Sequence, residues 1–195
     1  MSDAHVQDGS VEEAFDSKTF RHALGLFATG VTIITTLAPD GSCVGITANS
    51  FSSVSLEPPL VLFSIARKAY SLAAFEQSGR FVINVLGAEQ AGFSNRFATA
   101  SADKWQGIDG ETWGGCPTIP DALARFECRT HAMHDGGDHV IMVGRVVRLS
   151  QGSGEPLLFY RGLYRHLQPL SVEFASRGEP PVFPPLTGLD PWFSG

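Results

Sequence analysis

Short segments rich in valine, isoleucine, threonine and phenylalanine recur along the chain and are bounded by turn residues. GVTIITTLA (30–38) and CVGITANSF (43–51) flank Pro39-Asp40-Gly41, a pattern that predicts a β-hairpin. LVLFSIA (60–66) follows a proline pair that has to end the preceding strand, and it predicts a buried strand of its own. RFVINVL (80–86) alternates in the same way and contains one polar residue, Asn84.

The longest hairpin pattern lies nearer the C-terminus. ALARFECRTHAM (122–133) and HVIMVGRVVRLS (139–150) flank Asp135-Gly136-Gly137-Asp138, and LLFY (157–160) and GLYRHL (162–167) predict two further strands. Predicted strands outnumber helices and are mostly joined by hairpins. We therefore expect a mainly β fold with a few helices, arranged as an antiparallel barrel or sandwich.

Three segments have helical periodicity. SKTFRHALGLFATG (17–30), with Asp16 and Ser17 as N-cap candidates, predicts a helix that ends at Gly30 and carries Phe20, Leu24, Phe27 and Ala28 on one face. KAYSLAAFEQS (68–78) predicts a helix that stops at Gly79. AEQAGFSNRFA (88–98) predicts a helix whose shared face carries Gln90, Phe93, Ser94 and Phe97, and residues 99–120 are expected to be a loop.

The ends of the chain differ from its middle in composition. Residues 1–14 are polar and aperiodic and predict a mobile arm, which leaves residues 15–170 as one domain. Residues 171–195 are too rich in proline to continue a sheet. Because this tail also carries Phe183, Trp192 and Phe193, we expect it to lie on a surface groove or on a partner subunit.

Charge and cysteine usage narrow the partners and the compartment. The formal net charge of −6 argues against a broad contact with a nucleic-acid backbone. The three cysteines are irregularly spaced, and the N-terminal residues have neither a basic start nor an apolar signal core, so we expect a cytoplasmic protein. The longest apolar run, LVLFSIA, is too short to cross a bilayer.

One predicted strand region is unusually polar. VGITANSFSSVSLEPPLVLFSI (44–65) carries a series of small hydroxyl and amide side chains in its first half. Such groups pack a core poorly, but together with backbone N–H groups they can hold a planar ligand at the end of a strand. The segment therefore predicts a binding site for a flat molecule with polar edges.

Other chemistry has weaker support. Cys128, His131, His134 and His139 lie close together in sequence, but their spacing matches no zinc motif, and Cys128 and His131 point to opposite faces of a strand. We therefore predict no metal site and expect His131 and His134 to be exposed hairpin histidines; the weaker alternative is a zinc site of a metal-binding hydrolase. The sequence has no phosphate-binding loop, no G-x-G-x-x-G motif and no G-x-S-x-G nucleophile motif.

Five blocks in this order resemble one family. They are FRHALGLFATGVTIITT (20–36), GITANSFSSVSLEPPLVLFSIA (45–66), SGRFVINVL (78–86), GGDHVIMVGRV (136–146) and PLLFYRGLYRHL (156–167). The chain resembles the short flavin reductases, which are the reductase components of two-component flavin-dependent monooxygenases. This resemblance implies the antiparallel split β-barrel of the FMN-binding type.

The resemblance also implies a set of site residues. It places Thr47, Ala48, Asn49 and Ser50 against the edge of the flavin ring. It places Ser64, Ile65, Ala66, Arg67 and Ser71 at the ribityl and phosphate groups, although Ala69 and Tyr70 leave fewer hydroxyls in this turn than the family usually has. Ser94 and Phe97 contribute to flavin binding from a helix. Gly137, Asp138, His139, Tyr164 and Arg165 are implied on the nicotinamide side, with His139 as the catalytic candidate.

The implied activity is hydride transfer from NADH or NADPH to FMN or FAD, with the reduced flavin passed to a partner monooxygenase. Flavin and nicotinamide carry this chemistry themselves, so a small polar cradle suffices without a protein nucleophile. The resemblance also implies a homodimer. The alternative is a non-enzymatic flavin- or haem-binding split-barrel protein, a sensor or carrier, against which the Gly137-Asp138-His139 corner favours the enzyme.

Overall fold

The computed structural model describes residues 15–101 and 104–168, so the predicted arm and the proline-rich tail lie outside the described residues. The helices are α1 (Ser17–Leu24), α2 (Leu72–Ser78) and α3 (Ala91–Ala98), with a 3₁₀ turn at Ala88–Gln90. The strands are β1 (Thr29–Gly30), β2 (Thr32–Leu37), β3 (Cys43–Ala48), β4 (Ser52–Ser55), β5 (Leu60–Ala66), β6 (Arg80–Val85), β7 (Thr112–Trp113), β8 (Cys116–Pro117), β9 (Ala124–Gly136), β10 (His139–Gln151), β11 (Leu158–Tyr160) and β12 (Leu163–Arg165).

One antiparallel sheet of seven strands, in the order β3-β2-β6-β9-β10-β5-β4, forms the body of the molecule. Its two edge strands, β3 and β4, are joined by only three residues, 49–51. Because so short a link has to span the two edges, the sheet curves until they meet. This closure gives the split barrel, and it confirms the mainly β antiparallel fold expected from the sequence.

The barrel is filled by side chains that alternate along its strands. In β5, Val61, Phe63 and Ile65 are buried while their neighbours are only half-buried. The ring of Phe63 packs edge-on against Phe75 of α2 at 5.6 Å and against Phe81 of β6 at 5.2 Å. Aromatic pairs in this geometry stabilise a core beyond the area they bury, so α2 is fixed on the barrel by its apolar face.

Two smaller sheets cover the outside of the barrel. One has the order β1-β11-β12, and the other pairs β7 with β8. The second lies within residues 99–120, which the sequence predicted to be a loop; that prediction missed two short strands, around which Trp113 and Cys116 are buried against Val82. Among the described residues, no helix is long and apolar enough to span a bilayer.

Two predicted helices are shorter than expected. Asp16 caps α1 as predicted, accepting a hydrogen bond from the Thr19 amide at 2.7 Å, but the helix ends at Leu24 and not at Gly30. It has to end early because Thr29 and Gly30 pair with β11 in an extended conformation. Phe27 and Ala28 are therefore not part of the helical face that was predicted for them.

The second shortened helix is α2, which begins at Leu72 although its pattern starts at residue 68. The preceding residues form tight turns because the Arg67 amide donates to the Asp138 carbonyl at 2.9 Å, which holds the chain against the β9–β10 hairpin. The strand predicted over 43–51 likewise ends early, at Ala48, and a separate strand, β4, begins after it at Ser52. The long hairpin is confirmed, and its two strands are paired up to the turn at Gly137-Asp138.

Asn84, the polar residue of β6, is fully buried and its amide group is satisfied on both sides. Its Nδ2 donates to the Ile33 carbonyl at 2.9 Å, and its Oδ1 accepts from the Ile119 amide at 3.0 Å. Asn84 therefore connects two strands of the barrel to the segment that follows β8.

We expect Asn84→Leu to lower the free energy of unfolding by about 1–3 kcal/mol, because it leaves the buried Ile119 amide without the partner that Asn84 supplies and removes the side-chain hydrogen bond to the Ile33 carbonyl. Urea unfolding measures the change. The exposed Gln106 provides a control, because Gln106→Leu removes an amide at the surface and should leave the midpoint almost unchanged. Equal midpoints for Asn84→Leu and the wild type would contradict the structural role assigned to Asn84.

Candidate functional site

A cavity of about 850 Å³ opens where β3 separates from the segment that connects β5 to α2. This volume is within the range of small-molecule and cofactor sites. The structure brings most of the residues predicted for the site into this one cavity; those that line it are Thr47, Ala48, Asn49, Ser50, Ser64, Ile65, Ala66, Ser71, Phe97 and His139.

Ser50 and Ser64, which both line the cavity, are hydrogen-bonded to each other. The Ser64 amide donates to Ser50 Oγ at 2.9 Å, and the Ser50 hydroxyl lies 3.3 Å from the Ser64 carbonyl oxygen. The last residue pair between β4 and β5 is Ser52 with Leu62. Beyond it, the Ser50 side chain supplies the hydrogen-bond partner of the β5 backbone. Part of the unusual polarity of this segment thus serves to frame the cavity and does not face a ligand.

Thr47 and Asn49 differ in what their polar side chains contact. The Thr47 hydroxyl donates to the Ser94 carbonyl at 2.6 Å, which attaches α3 to β3. Asn49 is exposed, and its amide has only a long contact, 3.3 Å, to Thr29 Oγ1. Since a side-chain amide offers both a donor and an acceptor, Asn49 is the polar side chain of this wall that is best placed to pair with a ligand.

Helix α3 approaches β3 closely because position 45 is a glycine. A Cβ at Gly45 would lie 2.6 Å from the Phe97 ring, a distance that no real side chain tolerates. Phe97 is buried here and packs edge-on against Trp105, with ring centroids 4.9 Å apart. Gly45 was not among the predicted site residues, although a glycine inside a strand pattern is a sequence signal for such an approach.

Lys104 is a second residue that sequence reasoning missed. It lines the cavity beside Trp105, and its ammonium lies 3.1 Å from the Phe97 carbonyl oxygen and 3.4 Å from the Gly45 carbonyl oxygen. Burial lowers the pKa of Lys104 below its usual value. The sequence signal that could have identified it is the pair Lys104-Trp105, a cation next to an aromatic residue in an otherwise polar loop.

Arg67 lies outside the cavity. Its Nε donates to the Gly137 carbonyl at 2.8 Å, and its Nη2 lies 2.8 Å from Asp135 Oδ1. Hydrogen bonding from Arg67 lowers the pKa of Asp135. The guanidinium that the resemblance placed at the flavin phosphate thus holds the turn of the β9–β10 hairpin.

That turn presents His139 to the cavity. His139 pairs with Ala66 of β5 across the sheet, so the histidine lies directly beside the strand end that lines the site. Its Nδ1 lies 2.6 Å from Asp138 Oδ1, and the hydrogen bond from His139 lowers the pKa of Asp138. Because a carboxylate can only accept, Nδ1 donates this hydrogen bond and Nε2 is left for other partners.

The remaining predicted residues lie around the cavity and do not line it. Ser94 is buried behind Thr47, and the Tyr164 hydroxyl lies 2.8 Å from Ser94 Oγ and 2.9 Å from Asn95 Oδ1. Tyr164 therefore supports α3 from the outside. Arg165 is exposed on β12, and Gly137 occupies the hairpin turn with φ of 75°, a conformation that favours glycine.

The histidine cluster does not assemble into a metal site. Cys128 is buried, whereas His131 and His134 are exposed on the same strand, as predicted for hairpin histidines. In the part of the chain that the structure describes, no three histidine, cysteine or acidic side chains come together in a way that could hold a metal ion.

Comparison with known proteins is consistent with this geometry. Residues 24–168 match the family described as "Flavin reductase like domain". The chain is 48% identical over 165 residues to the flavin-dependent monooxygenase reductase subunit HsaB of Rhodococcus jostii, a match that covers 83% of this chain and 84% of HsaB. It is 47% identical over 150 residues to the FMN reductase (NADH) SmoA of Agrobacterium fabrum, covering 76% and 85% of the two chains.

Solved structures give the same similarity. Nitrilotriacetate monooxygenase component B from Mycobacterium thermoresistibile is 45% identical with a TM-score of 0.76, covering 80% of this chain and 89% of that one. The NADH:FAD oxidoreductase SgcE6 of Streptomyces globisporus, solved with NAD and FAD fragments, is 36% identical with a TM-score of 0.75, covering 79% and 94%.

Proposed function

The chain belongs to the flavin reductase-like family, and from this premise we propose that it transfers a hydride from NADH to FMN or FAD and supplies the reduced flavin to a separate monooxygenase. The observation that carries the proposal is the single cavity that joins the Thr47–Ser50 wall to the His139 corner. Relatives described as reductase subunits of monooxygenases favour this activity over a non-enzymatic sensor or carrier.

The residues present fit a flavin. The Thr47–Ser50 wall offers the exposed amide of Asn49 and backbone groups of an edge strand, which suit the alternating donors and acceptors of the flavin pyrimidine ring. Flavin, when bound, is the group that accepts the hydride. The protein has to hold the two partners in contact and keep their orientation, and the Ser50–Ser64 and Thr47–Ser94 contacts make this wall rigid.

His139 is the proposed contact for the nicotinamide. With Nδ1 donating to Asp138, the Nε2 of a neutral imidazole is an acceptor, which suits the N–H donors of the nicotinamide carboxamide. Hydride transfer needs no proton from His139 in the same step, so its role is to position the nicotinamide.

The choice of nicotinamide and flavin is also a proposal. SmoA and SgcE6 are both described with NADH, which favours NADH for this chain, whereas one is described with FMN and the other with FAD.

The proposed location is the cytoplasm. Cys43, Cys116 and Cys128 are free thiols, which agrees with that location.

We also propose a homodimer, because α1 and the residues after it expose apolar side chains that the described residues of this chain do not cover. Helix α1 has no buried residue, Phe20 and Leu24 on it are 51% and 58% exposed, and Phe27 shortly after it is 77% exposed. A helix with so little packing against the other described residues is stabilised by a second surface, and a second copy of this chain supplies the same apolar patch.

Purified protein is expected to oxidise NADH only when flavin is added, since the proposed reaction needs flavin in the cavity to accept the hydride. Absorbance of the reduced nicotinamide measures the rate with FMN, with FAD and without flavin, and NADPH serves as the comparison. Rapid NADH oxidation by protein from which flavin has been removed would refute the proposed function.

His139→Ala is expected to lower kcat/KM for NADH by about tenfold to a hundredfold, because one lost polar contact reduces the population of the reactive geometry. Flavin affinity should change by less than about threefold, since the histidine is assigned to the other substrate. The exposed His134 on the same hairpin is the control, and His134→Ala should behave as wild type. Equal losses of kcat/KM in both variants would contradict a specific role of His139 in positioning the nicotinamide.

Phe27→Asp is expected to raise the dissociation constant of the dimer by about a hundredfold, because the symmetric interface loses two apolar contacts and gains two charges. Sedimentation velocity at micromolar concentration measures it. Val147, which is 49% exposed on β10, provides the control Val147→Asp. A wild-type monomer would contradict the dimer, and dissociation caused only by Val147→Asp would move the interface to the sheet.

A further inference from the structure

Three arginines lie side by side on neighbouring strands of the large sheet. Arg80 of β6 is the register partner of Arg129 of β9, and Arg129 is in turn the register partner of Arg145 of β10. Side chains of residues directly opposite each other in antiparallel strands point to the same face of the sheet. The three side chains, called the arginine row below, therefore project from one face.

That face is the outer face of the barrel. Each arginine of the row is exposed, whereas the residue next to it in the chain, Phe81, Cys128 or Gly144, is buried. These buried neighbours pack together, since a Cβ at Gly144 would collide with Phe81 and with Cys128. Because side chains alternate along a strand, core packing on one side fixes the arginines on the solvent side.

The arginine row brings like charges together without compensation from the fold. Like charges directly opposite each other destabilise a sheet, because their Cβ atoms are only about 5 Å apart. Among the described residues, Arg129 and Arg145 have no hydrogen bond, ion pair or aromatic partner, and Arg80 donates to the Gly114 carbonyl at 2.8 Å. Glu127, two residues before Arg129, forms no ion pair with any of these residues. A local conflict of this kind is expected where a surface has a function.

An acidic helix matches the spacing of the arginine row. Neighbouring strands are about 4.8 Å apart, so the row extends over about 10 Å across the sheet. In an α-helix, side chains at i, i+4 and i+7 lie on one face, and seven residues rise by about 10 Å. Three carboxylates at this spacing can each meet one guanidinium, a donor whose planar shape suits a carboxylate.

The surroundings of the row favour a protein over a small anion or a nucleic acid. Val147 and Leu149, further along β10, are 49% and 57% exposed. Arginine combined with exposed apolar side chains is typical of protein interfaces, whereas a small phosphate or carboxylate needs no apolar contact. Binding to a nucleic-acid backbone requires a broad basic surface, which the net charge of −6 disfavours.

We propose that the arginine row is a docking site for an acidic helix of a partner protein, with one carboxylate opposite each arginine. The site is separate from the cavity, which none of the three arginines lines. Arg145 and His139 lie on the same strand, about 20 Å apart at the usual rise per residue. A partner docked here leaves the cavity open to flavin and NADH, and docking does not depend on the proposed reaction.

The test measures binding of a dye-labelled helical peptide to the full chain by fluorescence anisotropy. The probe is an alanine-based peptide of about 18 residues with glutamates at i, i+4 and i+7, and its isomer with the glutamates distributed around the helix is the comparison. The wild type is expected to bind the first peptide about fivefold more tightly than the isomer. Arg129→Gln should weaken binding of the first peptide about tenfold, and added salt should weaken its binding to wild type.

A stability measurement and a second arginine supply the controls. Because Arg129→Gln removes the central charge of the row, its thermal midpoint should be equal to or above that of wild type. Loss of peptide binding then cannot come from loss of the fold. Arg21 is exposed on α1 and lies outside the row, so Arg21→Gln is expected to bind the peptide as wild type does.

Four results would overturn the assignment. Absent binding, or equal binding of the two peptides or by wild type and Arg129→Gln, would show that the row has no specific acidic partner. A thermal midpoint of Arg129→Gln well below that of wild type would give the row a role in folding. A changed sedimentation coefficient of Arg129→Gln would assign the row to a contact between copies of this chain. Tighter binding of a DNA duplex than of the peptide, lost in Arg129→Gln, would make the partner a nucleic acid.

Discussion

The short link between the two edge strands is the constraint on which the rest of the molecule depends. Residues 49–51 connect β3 to β4, and these strands lie at opposite ends of the seven-stranded order. The sheet has to close, yet β3 does not pair with β5 along its length. Beyond the Ser50–Ser64 contact the two diverge, and the opening between them is the cavity. The way in which the sheet closes therefore also forms the cavity.

The register of the sheet brings the two proposed substrates together without a long connection. Ala66 at the end of β5 lies opposite His139 at the start of β10, so the β5 side of the proposed flavin site and the proposed nicotinamide contact lie on neighbouring strands. Arg67, the next residue along, then bonds to the hairpin turn with both its backbone and its side chain. The distance between the two halves of the site is thus set by hydrogen bonds within one sheet.

Much of this could be predicted from local pattern, because hairpins and alternation are local properties. The β2–β3 and β9–β10 hairpins, the exposed His131 and the polar lining from Thr47 to Ser50 follow from residue type and spacing. The premature end of α1 could not, since it depends on pairing between β1 and β11, more than a hundred residues apart in the chain. The partner of Arg67 and the position of Lys104 depend on the same kind of long-range contact, for which a single sequence carries no periodic signal.

The contact between Gly45 and Phe97 limits how such a site can diverge. With the missing Cβ at 2.6 Å from the ring, strand and helix fit as a matched pair, and neither residue can be exchanged for a larger one on its own. A side chain at position 45 is therefore compatible only with a smaller residue at position 97, whereas a smaller residue at position 97 needs no change at position 45. Substitutions at these two positions should consequently be ordered in evolution, with the change at position 97 coming before any enlargement at position 45.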